Sequence, residues 1–254
     1  MNAPSGLGIW LWDLGQLGTK DWSLIATRCA KMGLDWVCIK AALFIPSSTV
    51  LLNAFNVYGI TVYTWHYSLP NRVVSDLNTV LQCKAMGSQG HVIDAEVEYV
   101  HPGSQGEAKR VVEALRGAVG DWFLAYAPFC DPAVFPQYPY QAFHELTAMP
   151  QVYWTPMHRT ASSLIDWIAP QWAKLGLTYD MPILSVWGSN NVRGLYRKDG
   201  AFLLEDFKAA LEAYKDKPAV SLWALESIHP DCEHWLQSQV TSLRCFRRAM
   251  RLSI

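Results

Sequence analysis

Short β-rich runs alternate with amphipathic stretches of helical length from one end of this chain to the other, and nothing else in the sequence limits the fold so tightly. The periodicity predicts strands at Gly8–Trp12, Trp36–Ala41, Thr61–Tyr67, His91–Val97, Trp122–Ala127, Pro150–Trp154, Pro182–Trp187 and Val220–Leu225. Between them it predicts helices at Asp21–Met32, Thr49–Tyr58, Arg72–Met86, Gly106–Arg116, Tyr140–Leu146, Ser162–Leu175 and Leu203–Tyr214, with Cys232–Met250 after the last strand. Eight strands alternating with eight helices in 254 residues is the arithmetic of an α/β fold, a single (β/α)8 TIM barrel. The rival is an open doubly wound sheet, but no Gly-x-Gly-x-x-Gly follows the first strand and no phosphate-cradling P-loop occurs. No Gly/Ser-rich, Pro-rich or charge-run linker divides the sequence, so residues 1–254 read as one domain.

In such a barrel, function gathers where the strands end, on the carboxyl side. There the fourth strand carries Asp94, Glu96 and Glu98 at period two, which puts them on one face about 6–7 Å apart per step. Val92, Ile93, Ala95 and Val97 keep the same segment apolar enough to be buried. Like charges crowded on a buried strand are costly. The row is therefore either a wetted sheet face or a site, and neighbouring strands that are apolar on both faces favour the site.

Five tryptophans fall at strand ends: Trp12, Trp65, Trp154, Trp187 and Trp223. Each reads either as core packing or as part of a cleft wall, and flat indole faces suit the apolar faces of sugar rings. Single-stranded nucleic acid would also stack on them, but it needs cations along the groove, and here the strand-end charges are mainly acidic. On the sixth strand Gln151 and Tyr153 share one face, Val152 and Trp154 the other. Facing inward, Gln151 and Tyr153 would bond either each other and the carboxylates or a ligand. Lys40 ends the second strand, as a counter-ion to an acid or as a substrate contact. Asp13, His66, Tyr67, Tyr126 and Glu226 occupy further strand ends and extend the candidate binding set. No histidine pair with ligand spacing lies beside the acids, so neither a metal nor another cofactor is expected.

With 21 basic and 22 acidic residues the chain has no overall field to draw nucleic acid or an anionic membrane. Arg244, Arg247, Arg248 and Arg251 make a basic end, read as a solvated last helix whose cations suit its dipole in preference to an anion-binding patch. No apolar run is long enough to cross a membrane, and the first residues lack the basic region and apolar core of a secretory leader. The six cysteines, 29, 38, 83, 130, 232 and 245, lie far apart without CxxC spacing and read as buried reduced thiols.

The segment Val92-Ile93-Asp94-Ala95-Glu96 resembles the fourth-strand Asp-x-Glu of the lysozyme-like glycoside hydrolases of family 25 and, more loosely, of the family 18 chitinases. Gln151-Val152-Tyr153 is similar to the Gln-x-Tyr element of the chitinase group. The whole chain also looks like uncharacterised bacterial and phage barrels that pair Gly-x-Trp-x-Trp with Ile-Asp-Ala-Glu and Met-Pro-Gln-Val-Tyr-Trp. The resemblance implies a retaining, substrate-assisted hydrolase of N-acetylhexosamine polysaccharide such as peptidoglycan or a chitin-like polymer. In that reading Glu96 is the general acid, Asp94 stays ionised and orients the acetamido group, and Tyr153 bonds the acetamido oxygen. Family 25 enzymes carry an Asp early in the first strand, where this chain has Gly8-Ile9-Trp10-Leu11-Trp12-Asp13; Asp13 either takes that role or leaves it vacant. Glu98 is extra: the acid itself, a substrate ligand, or a partner for Lys40. Synthesis and retention in a reducing cytosol are expected, unless another agent releases the protein to a cell wall or virion. Two alternatives remain: a non-catalytic carbohydrate-binding or virion barrel, and a glycosidase for neutral or capsular polysaccharide using a carboxylate nucleophile.

Overall fold

In the structure, a computed structural model that describes residues 3–154, 156–157, 159–187 and 204–251 (the side chains only as far as 240), the periodic pattern folds as a barrel of parallel strands wrapped by helices. The strands are β1 Gly6–Leu11, β2 Trp36–Lys40, β3 Thr61–Tyr67, β4 Gly90–Asp94, β5 Phe123–Tyr126, β6 Thr147–Ala148, β7 Gln151–Val152, β8 Ile183–Ser185 and β9 Ala219–Trp223. They pair in the order β6-β5-β4-β3-β2-β1-β9-β8-β7, and every pair is parallel.

The two outermost strands are parts of one stave, separated only by Met149-Pro150. On one side Met149 N donates to Tyr126 O (2.9 Å) and Gln151 N to Pro128 O (3.0 Å); on the other, Ile183 N donates to Pro150 O (2.9 Å). The sheet thereby closes on itself. The ladder breaks at Pro150 because proline has no N–H to give.

Alternation along the strands sorts the side chains into two layers. Trp10, Trp36, Cys38, Tyr63, Trp65, Val92, Phe123, Met149 and Ile183 pack together inside the barrel. Ile9, Leu11, Val37, Ile39, Val62, Ile93, Leu124, Val152, Leu184 and Leu222 belong to the larger core shared with the helices. The large rings inside leave no room on two staves. A Cβ on Gly8 would stand 2.2 Å from the Trp36 indole, and one on Gly90 2.5 Å from the Phe123 ring. Higher up, Trp10, Trp65 and Trp223 form a triangle with ring centroids 5.4 to 5.5 Å apart, which fills the barrel beneath its mouth.

The outer ring consists of α1 Trp22–Lys31, α2 Ala41–Asn56, α3 Val73–Ala85, α4 Ser104–Val119, α5 Ala161–Lys174, α6 Leu204–Ala213 and α7 Pro230–Arg251. Asp21 caps α1 by accepting from Ser23 N (2.8 Å), and Thr160 caps α5 through Ser163 N (3.2 Å). Two expectations need correction. The second helix begins directly after β2, eight positions before Thr49, and runs through Pro46; proline near a helix start removes a single internal hydrogen bond, which the packing of Phe44, Leu51 and Phe55 outweighs. The helix expected at Tyr140–Leu146 is only a 3-10 turn, Tyr140–Phe143, inside a long aromatic loop in which Phe129 stacks on Phe135 at 3.9 Å. The cysteines at 29, 38, 83, 130 and 232 are free and buried. Cys245 and the arginines at 244, 247, 248 and 251 lie outside the described side chains. No described helix is long and apolar enough to cross a membrane.

Candidate functional site

The expected strand reaching Val97 ends at Asp94. Alternation nevertheless persists for two more residues: Ala95 turns outward into the helix-side core, and Glu96 (φ −118°, ψ −137°) presents its carboxylate to the Gln151 amide that also meets Asp94. Asp94 and Glu96 therefore project to the same side as expected. Glu98 leaves the row: it belongs to the 3-10 turn Val97–Tyr99 and accepts a hydrogen bond from the Tyr67 hydroxyl on β3, so its partner is Tyr67 and not Lys40.

Gln151, carried by the closing stave, reaches across the barrel mouth to both acids. Its amide nitrogen donates to Asp94 Oδ1 at 3.1 Å and to Glu96 Oε1 at 2.7 Å. One NH2 group has two hydrogens, so a single side chain ties the carboxylates together. Asp94 is buried and Glu96 is partly open to solvent. Burial, reinforced by Glu96 and Glu98, lifts Asp94 well above the usual carboxylate range, with Gln151 and Lys40 pulling the other way. Glu96 is also raised, by burial first, with Gln151 opposing and Glu98 adding. Burial thus raises Asp94 as well as Glu96, whereas the sequence reading has Asp94 ionised beside a protonated Glu96. The physical cause is depth: the strand carries Asp94 into the barrel and leaves Glu96 at the rim.

The backbone of this turn is fixed from outside. Tyr138 OH donates to Ala95 O at 2.8 Å, and Ser68 N donates to Asp94 O at 2.9 Å. Behind Ser68 runs a buried polar chain that the sequence reading misses. Ser68 Oγ donates to Asp76 Oδ2 (2.6 Å), Asp76 Oδ1 lies 3.1 Å from His66 Nε2, His66 Nδ1 lies 2.6 Å from His91 Nε2, and His91 Nδ1 lies 2.8 Å from Thr64 Oγ1. Burial, with His66 adding, holds His91 well below the ordinary histidine range. Histidines 66 and 91 sit on the outer faces of the adjacent strands β3 and β4, a parity that could have revealed the pair.

The remaining candidates divide by strand parity. Trp12, Lys40, Trp65, Tyr153, Trp187 and Trp223 belong to the interior side: Trp12, Trp65, Tyr153 and Trp223 join the inner cluster, Lys40 Nζ stands 5.5 Å from the Trp65 ring centroid, and Tyr153 meets Trp187 edge-on at 4.8 Å. Glu226 ties the end of β9 to the end of β1, its Oε1 accepting from Trp12 N (2.6 Å) and Asp13 N (2.9 Å); burial raises its pKa against those two bonds. Asp13 turns to its own loop, accepting from Gly15 N (2.8 Å) and Gln16 Nε2 (2.9 Å). Two candidates do not join the others. Tyr126 packs in the outer core, stacked on Phe143 at 4.8 Å, and Trp154 is buried in that same outer core. Both occupy the outward parity of their strands.

A cavity of about 750 Å3 opens at the opposite end of the barrel, lined by Pro4, Asn56, Thr61, Tyr63 and Gln89 among others. None of the carboxylates reaches it. At the carboxyl ends of the strands, two carboxyls of raised pKa share one amide donor among aromatic rings.

Fold and site together define a TIM barrel with an acidic mouth. Solved structures share the architecture. The chain matches a calcium-binding mutant of Bacteroides uniformis beta-glucuronidase 2 with a TM-score of 0.65 and 10% identity, over 93% of this chain and 34% of that one. It matches the ICChI chitinase of Ipomoea carnea with a TM-score of 0.59 and 16% identity, over 92% of this chain and 100% of that one. It also matches a 3-keto-D-glucoside 4-epimerase of E. coli with a TM-score of 0.56 and 12% identity, over 95% of this chain and 100% of that one. At these identities the likeness establishes the barrel fold alone. No protein-family model matches the sequence, and no curated protein does.

Proposed function

We propose that this protein is a glycoside hydrolase acting on an N-acetylhexosamine polymer, peptidoglycan or chitin-like, with retention and substrate assistance. The observation that carries the reading is the Gln151 bridge, which holds two carboxyls within reach of one amide group at the barrel mouth. That chitinase and beta-glucuronidase are among the proteins of like fold supports it.

Glu96, the more open of the two, delivers its proton to the glycosidic oxygen as the C1–O bond breaks. Asp94 ends β4 and Glu96 follows two residues on, so both stand on one side of the sugar. A nucleophile for the opposite face has to come from elsewhere, and the acetamido carbonyl oxygen of the substrate supplies it, closing a five-membered ring on C1. Asp94 accepts from the acetamido N–H, and Tyr153 donates to the acetamido oxygen as charge develops. Water then attacks C1 and gives its proton to the Glu96 carboxylate. Inverting enzymes hold their carboxyls roughly 6.5–9.5 Å apart to admit a water between them; one amide spanning both acids leaves no such space.

Glu96→Gln is expected to lower release of reducing ends from chitin oligosaccharides or purified glycan strands by about 10^2-fold or more, with binding retained. An unchanged rate in the variant overturns the assignment. Saccharide binding by the wild type without any turnover turns the reading to a non-catalytic carbohydrate-binding barrel.

A further inference from the structure

Lys40 is a cation of the mouth, and its surroundings set it apart from an ordinary counter-ion. It ends β2, one stave from Trp12 and one from Trp65, and its ammonium stands 5.9 and 5.5 Å from their ring centroids. Among the described residues it makes no ion pair and no hydrogen bond. Asp94 feels Lys40 by charge without a hydrogen bond to it, and the acids of the mouth are each bonded elsewhere: Asp94 and Glu96 by Gln151, Glu98 by the Tyr67 hydroxyl, Glu226 by the backbone of Trp12 and Asp13, and Asp13 by its own loop. Lysine ammonium carries three donors. Two indole faces hold this one electrostatically but give those donors no acceptor, and a half-buried ammonium with unused donors is best satisfied by an incoming anion.

The position fixes what kind of anion. The backbones that carry Lys40 and Asp94 lie two staves apart, about 10 Å along the barrel wall, a spacing that suits a group on a sugar ring adjoining the one whose bond is cleaved. We propose that Lys40 anchors a carboxylate borne by the saccharide and so makes acidic glycans the substrate class of this site. The proposal rests on the glycosidase reading for its ligand but not for its geometry. A sugar carboxylate has two sources, a uronate ring or a lactyl ether on an amino sugar, and the ammonium recognises the group they share.

The test is calorimetric binding to the whole chain. Two tetrasaccharides serve as probes, one from hyaluronan with uronate carboxylates and one from peptidoglycan glycan strands with lactyl carboxylates, each beside its carboxyl-reduced form. Wild type is expected to bind at least one acidic probe about tenfold or more tighter than its reduced form, with the preference weakening as salt rises. The probe that shows the preference identifies the source. Lys40→Met, which keeps the apolar stem, is expected to bind the acidic and reduced forms alike, and Lys40→Arg to keep the preference. Equal binding of both forms by wild type overturns the proposal, as does a preference that survives in Lys40→Met or no binding of any probe. Discrimination by a wild type that hydrolyses nothing upholds Lys40 and overturns the hydrolase; hydrolysis without discrimination does the reverse.

Discussion

Replacing Asp94 with asparagine is expected to make the protein more stable at alkaline pH while impairing the proposed hydrolysis. One Gln151 nitrogen lies 3.1 Å from Asp94 Oδ1 and 2.7 Å from Glu96 Oε1, so those two oxygens are at most about 6 Å apart. At an effective dielectric of about 20, two unit charges at that distance repel by about 3 kcal/mol, or about 2 pK units, before the burial that is the larger cause for Asp94. The asparagine side chain keeps an acceptor for Gln151 but loses a charged one, at about 1 kcal/mol. The net gain at pH 8 is about 2 kcal/mol, a rise in Tm of roughly 4–8 °C for a chain of this size. The sign depends on pH. Because the folded-state pKa of Asp94 lies above its unfolded value, the native state binds the proton more tightly; that stability is complete below about pH 4 and is lost as pH rises through the folded pKa. Asparagine has no proton to lose, so the variant's advantage grows from pH 4 to pH 8. Urea unfolding at pH 4, 6 and 8 measures it. A variant less stable than wild type at pH 8, or a difference independent of pH, would refute the claim that the two acids are held together against their repulsion.

Two further outcomes follow from groups behind the site. His91 is held below the ordinary histidine range by burial and His66, so its stabilising contribution is complete above about pH 6.5 and is lost as pH falls toward the folded pKa, by up to about 1.4 kcal/mol per pH unit; the stability difference between wild type and His91→Asn should narrow between pH 7.5 and pH 5, which denaturant midpoints would show, and a constant gap would count against a neutral buried imidazole. Tyr138→Phe removes the donor to Ala95 O and should lower stability by about 1–2 kcal/mol and kcat more than KM; wild-type values for both would mean that the loop does not position the acids.

The barrel is legible in the sequence because strands and helices of this class differ in period, and each predicted strand overlaps an observed one. The pair Asp94 and Glu96 is legible for the same reason: a spacing of two survives beyond the last residue of the strand. What the period does not encode is where pairing stops, so Glu98 falls into a turn and finds Tyr67 instead of the row. Pro46 reads as lying outside the second helix, yet a helix start tolerates it, and the aromatic run around Tyr140 reads as a helix although its rings pack loop against sheet. Strand parity already separates Trp154 from Gln151, and Tyr126 from Ala125 and Ala127, so a rim of indoles drawn from strand ends alone counts outward-facing rings as mouth. The tie from Tyr138 to Ala95 joins residues far apart in the chain, and no local pattern announces it.

The stave broken at Pro150 carries Gln151, and Gln151 is what couples the two acids. Whether the ring is shut and whether the acids are poised are thus the same question asked at two scales: a chain whose last seam has parted would keep most of its helices yet hold two unlinked carboxyls. Turnover would then report on the integrity of the whole cylinder, and variants that loosen the seam from far away would read in an assay as defects of the acid itself.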